Sequence, residues 1–167
     1  DFQQINMKIR TSKIPVVVAT QGYVFGGGCE ISMHCDAGIY AAESYIGLVE
    51  VGVGLLPGGG GTKEFALRAS DDFFEGDVQN PTLINYFKSI ATASVSTSAY
   101  EAYDLGYLKK DRDFVCVNTP MNIGRAKDKV LELAKNYMPP SSRTDIQVLG
   151  RGGMSVLYSA INEFRLG

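Results

Sequence analysis

The chain has 167 residues, of which 45% are hydrophobic and 20% are charged, and its net charge is -2. A chain of this length can build one hydrophobic core without disulfides or metals. Nucleic acid is not expected as a partner, because binding to a phosphate backbone requires a basic excess. The longest apolar run, Ile14 to Ala19, is far shorter than the ~20 residues that span a bilayer. No cleavable leader is recognisable, so we expect neither membrane insertion nor secretion for this piece.

Three cysteines, Cys29, Cys35 and Cys116, form no C-x-x-C pair, and their odd number does not suit a disulfide framework. Because the cysteines do not suggest disulfides, they favour a reducing compartment. We therefore expect a cytoplasmic protein, with the bacterial cytosol first and an organelle matrix as the alternative.

The first predicted elements are a helix, a strand and a second helix. Phe2 to Lys13 is predicted to be the last turns of a helix, so the chain is expected to be an excerpt of a longer one. Ile14 to Thr20 is β-branched and apolar, which is typical of a strand buried in a parallel or mixed sheet. Gly22 to Gly27 predicts a turn, and Gly28 to Asp36 predicts a helix.

The middle of the chain predicts two more short strands and a helix. Ala37 to Ala42 and Tyr45 to Leu48 have the composition of strands. The run Pro57 to Gly61 ends the irregular stretch. Thr62 to Ala69 is then predicted to be a helix with Thr62 as its N-cap.

Beyond residue 70 the predicted elements are mostly helical. Helices are expected at Thr82 to Ala93 and at Ser96 to Leu108, followed by a strand at Asp113 to Val117. Asn118 to Pro120 is expected to cap an amphipathic helix that ends at Pro139. We divide the chain into a core half with the catalytic loops (1–69), an insert with a linking helix (70–95), and a helical C-terminal region for oligomerisation (96–167).

Glycine and acidic residues are concentrated in residues 22–61. This window holds twelve of the nineteen glycines and no Lys or Arg. Its acidic residues are Glu30, Asp36, Glu43 and Glu50. Carboxylates among apolar residues are expected to have raised pKa values, because burial disfavours their charged form.

The glycine clusters do not match the two standard phosphate-binding loops. Pro57 to Lys63 places Lys after Thr, whereas a Walker loop requires the reverse order. Gly52 to Pro57 and Gly26 to Ile31 both lack the last glycine of the dinucleotide fingerprint. The sequence therefore gives no support for mononucleotide or dinucleotide binding within this chain.

A glycine loop before a helix can also form an oxyanion hole, in which backbone N–H groups and the helix dipole stabilise a negative oxygen. Gly26 to Gly28 and Glu30 are placed for such a site. From this spacing alone, a tight turn whose Glu favours the helix dipole remains the simpler alternative. Glu50, which follows a short strand and precedes a second glycine loop, is a second carboxylate and favours the interpretation as a site over that alternative.

The segment from Ala19 to Thr62 resembles the signature of the crotonase, or enoyl-CoA hydratase/isomerase, family. That signature contains G-x-x-x-G-G-G-x-E, an Asp, F-G-x-P-E and the loop G-x-x-P-G-x-G-G-T. The matching positions are Gly22, Gly26 to Gly28, Glu30, Asp36, Gly47, Glu50, Gly54, Pro57, Gly58 and Gly60 to Thr62. Downstream, KEFALRASD and GRAKDKVLELA resemble the subclass in which this domain is fused behind a 3-hydroxyacyl-CoA dehydrogenase.

The resemblance implies the C-terminal part of an α/β crotonase (ClpP-like) fold, made of stacked ββα turns with a helical C-terminal region. It implies hydration of trans-2-enoyl-CoA to 3-hydroxyacyl-CoA in fatty-acid β-oxidation. Glu30 and Glu50 match the two carboxylates that hold the catalytic water. Gly27 matches an oxyanion N–H donor, and Gly58 matches a glycine whose N–H positions the water.

The resemblance also implies what accompanies this chain. The missing N-terminal half would supply the other oxyanion donor and much of the CoA pocket. Acyl-CoA is expected as substrate rather than cofactor, and NAD only if the fused dehydrogenase domain exists. Homo-oligomers, trimers or multiples of them, are expected. The sequence departs from the family signature at Gln21, Ile46 and Val49. These departures bear on the identity of the substrate rather than on the type of reaction.

Two other functions stay open from the sequence. One is isomerisation of an enoyl-CoA, or another reaction through the same enolate. The other is a non-catalytic assembly module in which both glutamates persist.

The remaining polar residues are expected to be structural. His34 shares a helix face with Glu30 but has no second ligand at metal spacing, so no metal site is predicted. Cys29 has no nearby base in the sequence and is not expected to be a nucleophile. Four cations, Lys109, Lys110, Arg112 and Arg125, are expected on a solvated face, with contact to CoA phosphates as the minor alternative.

Overall fold

The computed structural model describes residues 1–166, which form two small sheets surrounded by helices. The strands are β1 (Val17–Thr20), β2 (Tyr23–Phe25), β3 (Ala37–Ala41), β4 (Tyr45–Gly47), β5 (Val95–Ser96) and β6 (Asp113–Cys116). The α-helices are α1 (Phe2–Arg10), α2 (Gly27–His34), α3 (Gly61–Asp71), α4 (Asn80–Ala91), α5 (Glu101–Asp104), α6 (Asn122–Ala134) and α7 (Gly150–Leu166). Two short 3-10 helices lie at Glu50–Val53 and Thr119–Met121. No helix among these residues is long and apolar enough to cross a bilayer.

The two sheets are built by repeated strand-strand-helix turns. β1, β3 and β6 form one sheet in which both pairings are parallel. β2, β4 and β5 form the other, in which β2 and β4 are parallel and β5 is antiparallel. Each of the first two turns, β1-β2-α2 and β3-β4-α3, gives one strand to each sheet. The predicted parallel or mixed sheet and the stacked turns are thus confirmed.

The core lies where the helices α2 and α3 cover these strands. It includes the fully buried side chains of Met33, Tyr40, Ile46, Leu48 and Tyr107. The buried Met33, Ile46 and Leu48 side chains each contribute about 1.5–3 kcal/mol relative to leaving them exposed. The same packing fixes α2 and α3 next to each other, and both helices begin at glycine turns.

Several local predictions were wrong in detail. β2 lies inside the predicted glycine turn, because Tyr23–Phe25 gains a parallel partner in Tyr45–Gly47. Gly60, with a φ of 119°, is the N-cap of α3, while the Thr62 hydroxyl donates to the carbonyl of Pro57. Only Glu101–Asp104 is helical within the predicted helix 96–108.

The last predicted helix also differs at both ends. Its N-cap is Met121 rather than a residue of 118–120, and α6 ends at Ala134, before the two prolines. β6 appears close to its predicted position and joins the parallel sheet beside β3. The C-terminal region therefore contributes a strand to the core as well as helices.

Arg112 does not belong to a solvated face. Its guanidinium donates to both carboxylate oxygens of Asp113 and to the carbonyls of Met33 and Cys35. The neighbouring carboxylate raises the pKa of Arg112 against the opposing effect of burial, which is the largest influence. The expectation was wrong here because the partner carboxylate and the two carbonyls all lie in the core, where a paired cation is tolerated.

Candidate active site

The first carboxylate, Glu30, is buried in the first turn of α2 with only 2% of its surface exposed. Helix α2 begins after Gly26, whose φ of 51° lets the chain turn sharply from β2 into the helix. The backbone N–H of Gly61 donates to Oε1 of Glu30 over 2.9 Å. The carboxylate is thereby held at the start of α3 as well as in α2.

The glycine turn 58–61 is shaped around this carboxylate. A β-carbon on Gly59 would collide with Oε2 of Glu30 and with the ring of Phe2. The side-chain amide of Asn6 donates to the carbonyl of Gly59 over 2.7 Å. The backbone of the turn therefore approaches Glu30 more closely than a residue with a side chain would allow.

The second carboxylate, Glu50, begins the 3-10 helix after β4. Its Oε1 lies 3.3 Å from the position that a β-carbon on Gly26 would take, so it lies against the entry to α2. Burial raises the pKa of Glu50, a backbone hydrogen bond lowers it, and the charge of Glu30 raises it again. Oε2 of Glu50 is buried and has no hydrogen-bond partner in the described residues.

The structure brings Glu30 and Glu50 to the same end of α2. Their role as a catalytic pair stays a prediction. The expected raised pKa is confirmed for Glu50. An unpartnered buried carboxylate oxygen is costly unless a water or ligand group supplies a donor.

The two backbone donors predicted from the sequence differ in their surroundings. Gly27 is the first residue of α2, so its N–H has no acceptor within the helix. The ring of Phe2 lies beside it, 3.2 Å from where a β-carbon on Gly27 would be. The N–H of Gly58 instead donates to the carbonyl of Leu56 over 2.7 Å. A role for Gly58 in positioning water stays a prediction and requires that turn hydrogen bond to open.

Three contributors to the site were missed by the sequence analysis. Phe2 lies against both glycine loops, Asn6 holds Gly59, and Gly61 donates to Glu30. Only the run of four glycines, 58–61, gave a sequence signal for close backbone approach. Phe2 and Asn6 belong to a helix distant in sequence from the loops.

Cys29 lies next to Glu30 in sequence but is fully enclosed. Burial raises the pKa of the Cys29 thiol to about 12. Such a thiol stays protonated at neutral pH and is not a nucleophile there. Within residues 1–166, no three His, Cys, Asp or Glu side chains are grouped as metal ligands would be.

The chain is similar to known proteins along its whole length. It is 35% identical over 165 residues to the probable 3-hydroxyacyl-CoA dehydrogenase of Bacillus subtilis (strain 168), covering 99% of this chain and 20% of that protein. It is 43% identical over 61 residues to the crotonyl-CoA hydratase of Syntrophomonas wolfei subsp. wolfei, covering 36% of this chain and 24% of that protein. The chain thus spans about a quarter or less of these relatives.

The fold also matches solved structures. An enoyl-CoA hydratase from Bacillus anthracis superposes with a TM-score of 0.62 at 22% identity, over 96% of this chain and 58% of that one. This likeness shows the crotonase fold. The sequence model of the enoyl-CoA hydratase/isomerase family matches residues 1–76, which contain both glutamates and both glycine loops. Through these residues, 1–76, the chain matches the enoyl-CoA hydratase/isomerase family.

Proposed function

We propose that the protein containing this chain adds water to trans-2-enoyl-CoA and yields 3-hydroxyacyl-CoA. The observation that carries the proposal is the pair Glu30 and Glu50 at the N-terminus of α2, with a free oxygen on the second carboxylate. The name of the Syntrophomonas relative, a crotonyl-CoA hydratase, supports hydration as the reaction.

The geometry suits both halves of this reaction. Oxygen of water bonds to C3 of the enoyl group while a proton goes to C2, and negative charge builds on the thioester oxygen in between. The N–H of Gly27 and the dipole of α2 would stabilise that charge. One carboxylate would take a proton from the water while the other gives a proton to C2.

Glu50 is the better candidate for the proton donor. Burial raises its pKa, so it is protonated at a higher pH than an exposed carboxyl group. Glu30 accepts the N–H of Gly61 on one oxygen and is suited to hold and deprotonate the water.

We also propose that this unit is part of a longer fatty-acid β-oxidation enzyme. The Bacillus relative, of which the chain covers 20%, is named for a 3-hydroxyacyl-CoA dehydrogenase, and that activity consumes the product of hydration. NAD would then belong to the dehydrogenase part and not to this chain. We propose that the whole protein is cytoplasmic and forms a homo-oligomer, either a trimer or a multiple of a trimer. Light scattering measures the molar mass of this oligomer.

The test is an assay of the full-length protein with crotonyl-CoA, following the loss of absorbance of the enoyl thioester. The product is identified by mass spectrometry as 3-hydroxybutyryl-CoA. A 3-enoyl-CoA substrate is assayed in parallel. Conversion of the 3-enoyl-CoA without hydration of crotonyl-CoA would replace the proposal by an isomerase, and no turnover of either substrate would favour the assembly module.

A further inference from the structure

We propose that His34 is a positioning residue. Its ring contacts Gly60 and thereby sets the distance between the Glu30 carboxylate and the glycine turn 58–61. The proposal rests on the proposed hydratase function for its kinetic consequence. Its structural part, that the His34 ring holds Gly61 within reach of Glu30, stands independently of the reaction.

The first contact fixes the ring relative to Glu30. His34 lies one helical turn after Glu30 in α2 and is 1% exposed. Its Nδ1 lies 2.6 Å from the carbonyl oxygen of Glu30. A carbonyl oxygen only accepts hydrogen bonds, so Nδ1 carries a proton and donates it. The ring therefore has one orientation relative to the helix that carries the first carboxylate.

The second contact joins the other side of the ring to the glycine turn. A β-carbon on Gly60 would lie 2.7 Å from Cε1 and 2.8 Å from Nε2 of His34. The backbone of Gly60 thus rests directly on the outer half of the imidazole ring. Gly60 also has a φ of 119°, which excludes most residues with side chains. The position of the turn is consequently limited by the size of the ring.

The position of Gly60 determines where its neighbours in the turn lie relative to Glu30. Gly61 follows Gly60 and donates to Oε1 of Glu30, and the preceding Gly59 is held by Asn6. His34 thereby contacts the carboxylate-bearing helix on one side and the donor-bearing turn on the other. Removing the outer half of the ring would let Gly60 move inward and would lengthen or misalign the Gly61 to Glu30 hydrogen bond.

On the side of α3 the ring lies beside the charged side chain of Glu64. Nε2 of His34 is 3.5 Å from Oε1 of Glu64 and has no hydrogen-bond partner in the part of the chain that the structure describes. Glu64 is itself paired with Lys63 and Arg10. Burial lowers the pKa of His34. The neutral ring therefore acts by its shape and by its Nδ1 proton.

Two substitutions separate the two halves of the ring. His34→Asn keeps an amide donor near the position of Nδ1 but removes the part that touches Gly60. His34→Gln is longer and fills more of the space beneath Gly60. We expect His34→Asn to lower kcat for crotonyl-CoA by about ten- to a hundredfold with KM within threefold, the scale of a misplaced reacting group. His34→Gln should recover at least a third of the wild-type kcat.

Met33→Ala is the matched control for loss of stability. Met33 is equally buried in α2 but is packed in the hydrophobic core. It should lower the melting temperature as much as His34→Asn or more, and leave kcat at 25 °C unchanged. Equal kcat losses in His34→Asn and Met33→Ala would overturn the proposal, as would full kcat in His34→Asn.

A second measurement on the full-length protein needs no activity. Hydrogen exchange followed by mass spectrometry reports on peptides that contain residues 57–64. Faster exchange there in His34→Asn than in Met33→Ala supports the positioning role even if crotonyl-CoA is not a substrate, in which case only the proposed function fails. Unchanged exchange in His34→Asn overturns the positioning role even if the protein is an active hydratase.

Discussion

The backbone N–H of Gly61 donates to Oε1 of Glu30, a residue 31 positions earlier in the chain. Glu30 lies in the first turn of α2, and Gly61 is the first residue of α3. The carboxylate is therefore at the N-terminal ends of two helices at once, and both dipoles favour negative charge there. This double placement gives Glu30 a fixed position from which a water can be held.

The first prediction concerns the two glutamates. In the full-length protein, Glu30→Gln and Glu50→Gln should each lower the rate of hydration at least ~100-fold, the scale of positioned acid-base groups. Binding of the substrate should change little, because neither change alters the size of the side chain. Steady-state assays with crotonyl-CoA measure both effects. A single variant that keeps more than a tenth of the wild-type turnover would remove that glutamate from the mechanism.

The second prediction concerns the electrostatic coupling of the two carboxylates. Burial and the charge of Glu30 both raise the pKa of Glu50 above its ordinary 4.5. Glu30→Gln removes the charge and should lower the pKa of Glu50 while leaving it above 4.5. NMR titration of carboxyl carbons in labelled protein measures the shift. Glu43→Gln, which removes an exposed carboxylate, is the control and should leave the pKa of Glu50 unchanged.

The third prediction concerns stability at acidic pH. Burial opposes the ionisation of Glu64, but Arg10 and Lys63 lower its pKa below 4.5 overall. Its stabilising contribution is therefore fully present above 4.5 and is lost as the pH falls through the lowered value. Glu64→Gln should reduce the difference in unfolding free energy between about pH 6 and about pH 3.5. Denaturant titrations at both pH values measure it.

Glu132→Gln is the control for Glu64→Gln. Glu132 is exposed and pairs with Lys129, and such surface pairs contribute ~0–1 kcal/mol. An equal effect of both changes on the pH dependence would contradict the role of Glu64.

The fourth prediction tests packing in the parallel sheet. A β-carbon on Gly38 would collide with the ring of Tyr40, which is fully buried in β3. Gly38→Ala should destabilise the fold by about 1–3 kcal/mol, as overpacking does. Gly124→Ala lies in α6 where a β-carbon meets no neighbour, and it should stabilise by about 0.5–1 kcal/mol. Thermal or denaturant unfolding distinguishes the two, and equal effects would refute the packing account.

The fifth prediction concerns the 167-residue chain by itself. We expect no measurable hydration of crotonyl-CoA, although both glutamates are present. Loss of one oxyanion donor typically costs ~2.7–4 kcal/mol, or 10²–10³ in rate, and loss of substrate orientation adds to this. The chain is purified, its mass is confirmed, and the enoyl absorbance is followed. Turnover within tenfold of an intact hydratase would show that these residues hold a complete site.

Local sequence patterns were sufficient to predict most of the regular elements and to single out Glu30 and Glu50, which both lie near the start of α2. Glu30 and Glu50 each follow a strand and adjoin a glycine loop, and this local pattern was visible in the sequence. β3, α3 and β6 were predictable because the composition of each segment by itself indicates its secondary structure.

The features that the sequence did not predict depend on contacts between distant segments. β2 has three residues and exists only because β4 pairs with it. Phe2 and Asn6 reach the site because α1 packs on α2. Arg112 was expected on a solvated face, whereas its acceptors include the carbonyls of Met33 and Cys35, which are distant from it in sequence.

The pairing of β3 with β6 has a consequence for how the protein is made. Helices α3, α4 and α5 lie between these two strands along the chain. β3 therefore cannot pair with β6 until residues 113–116 have left the ribosome. Pairings over such separations form slowly, and an uncovered strand edge recruits other chains. Every residue of β3 is buried in the finished protein. A nascent chain stalled within α5 would therefore present an apolar strand with one open edge, to which chaperones bind.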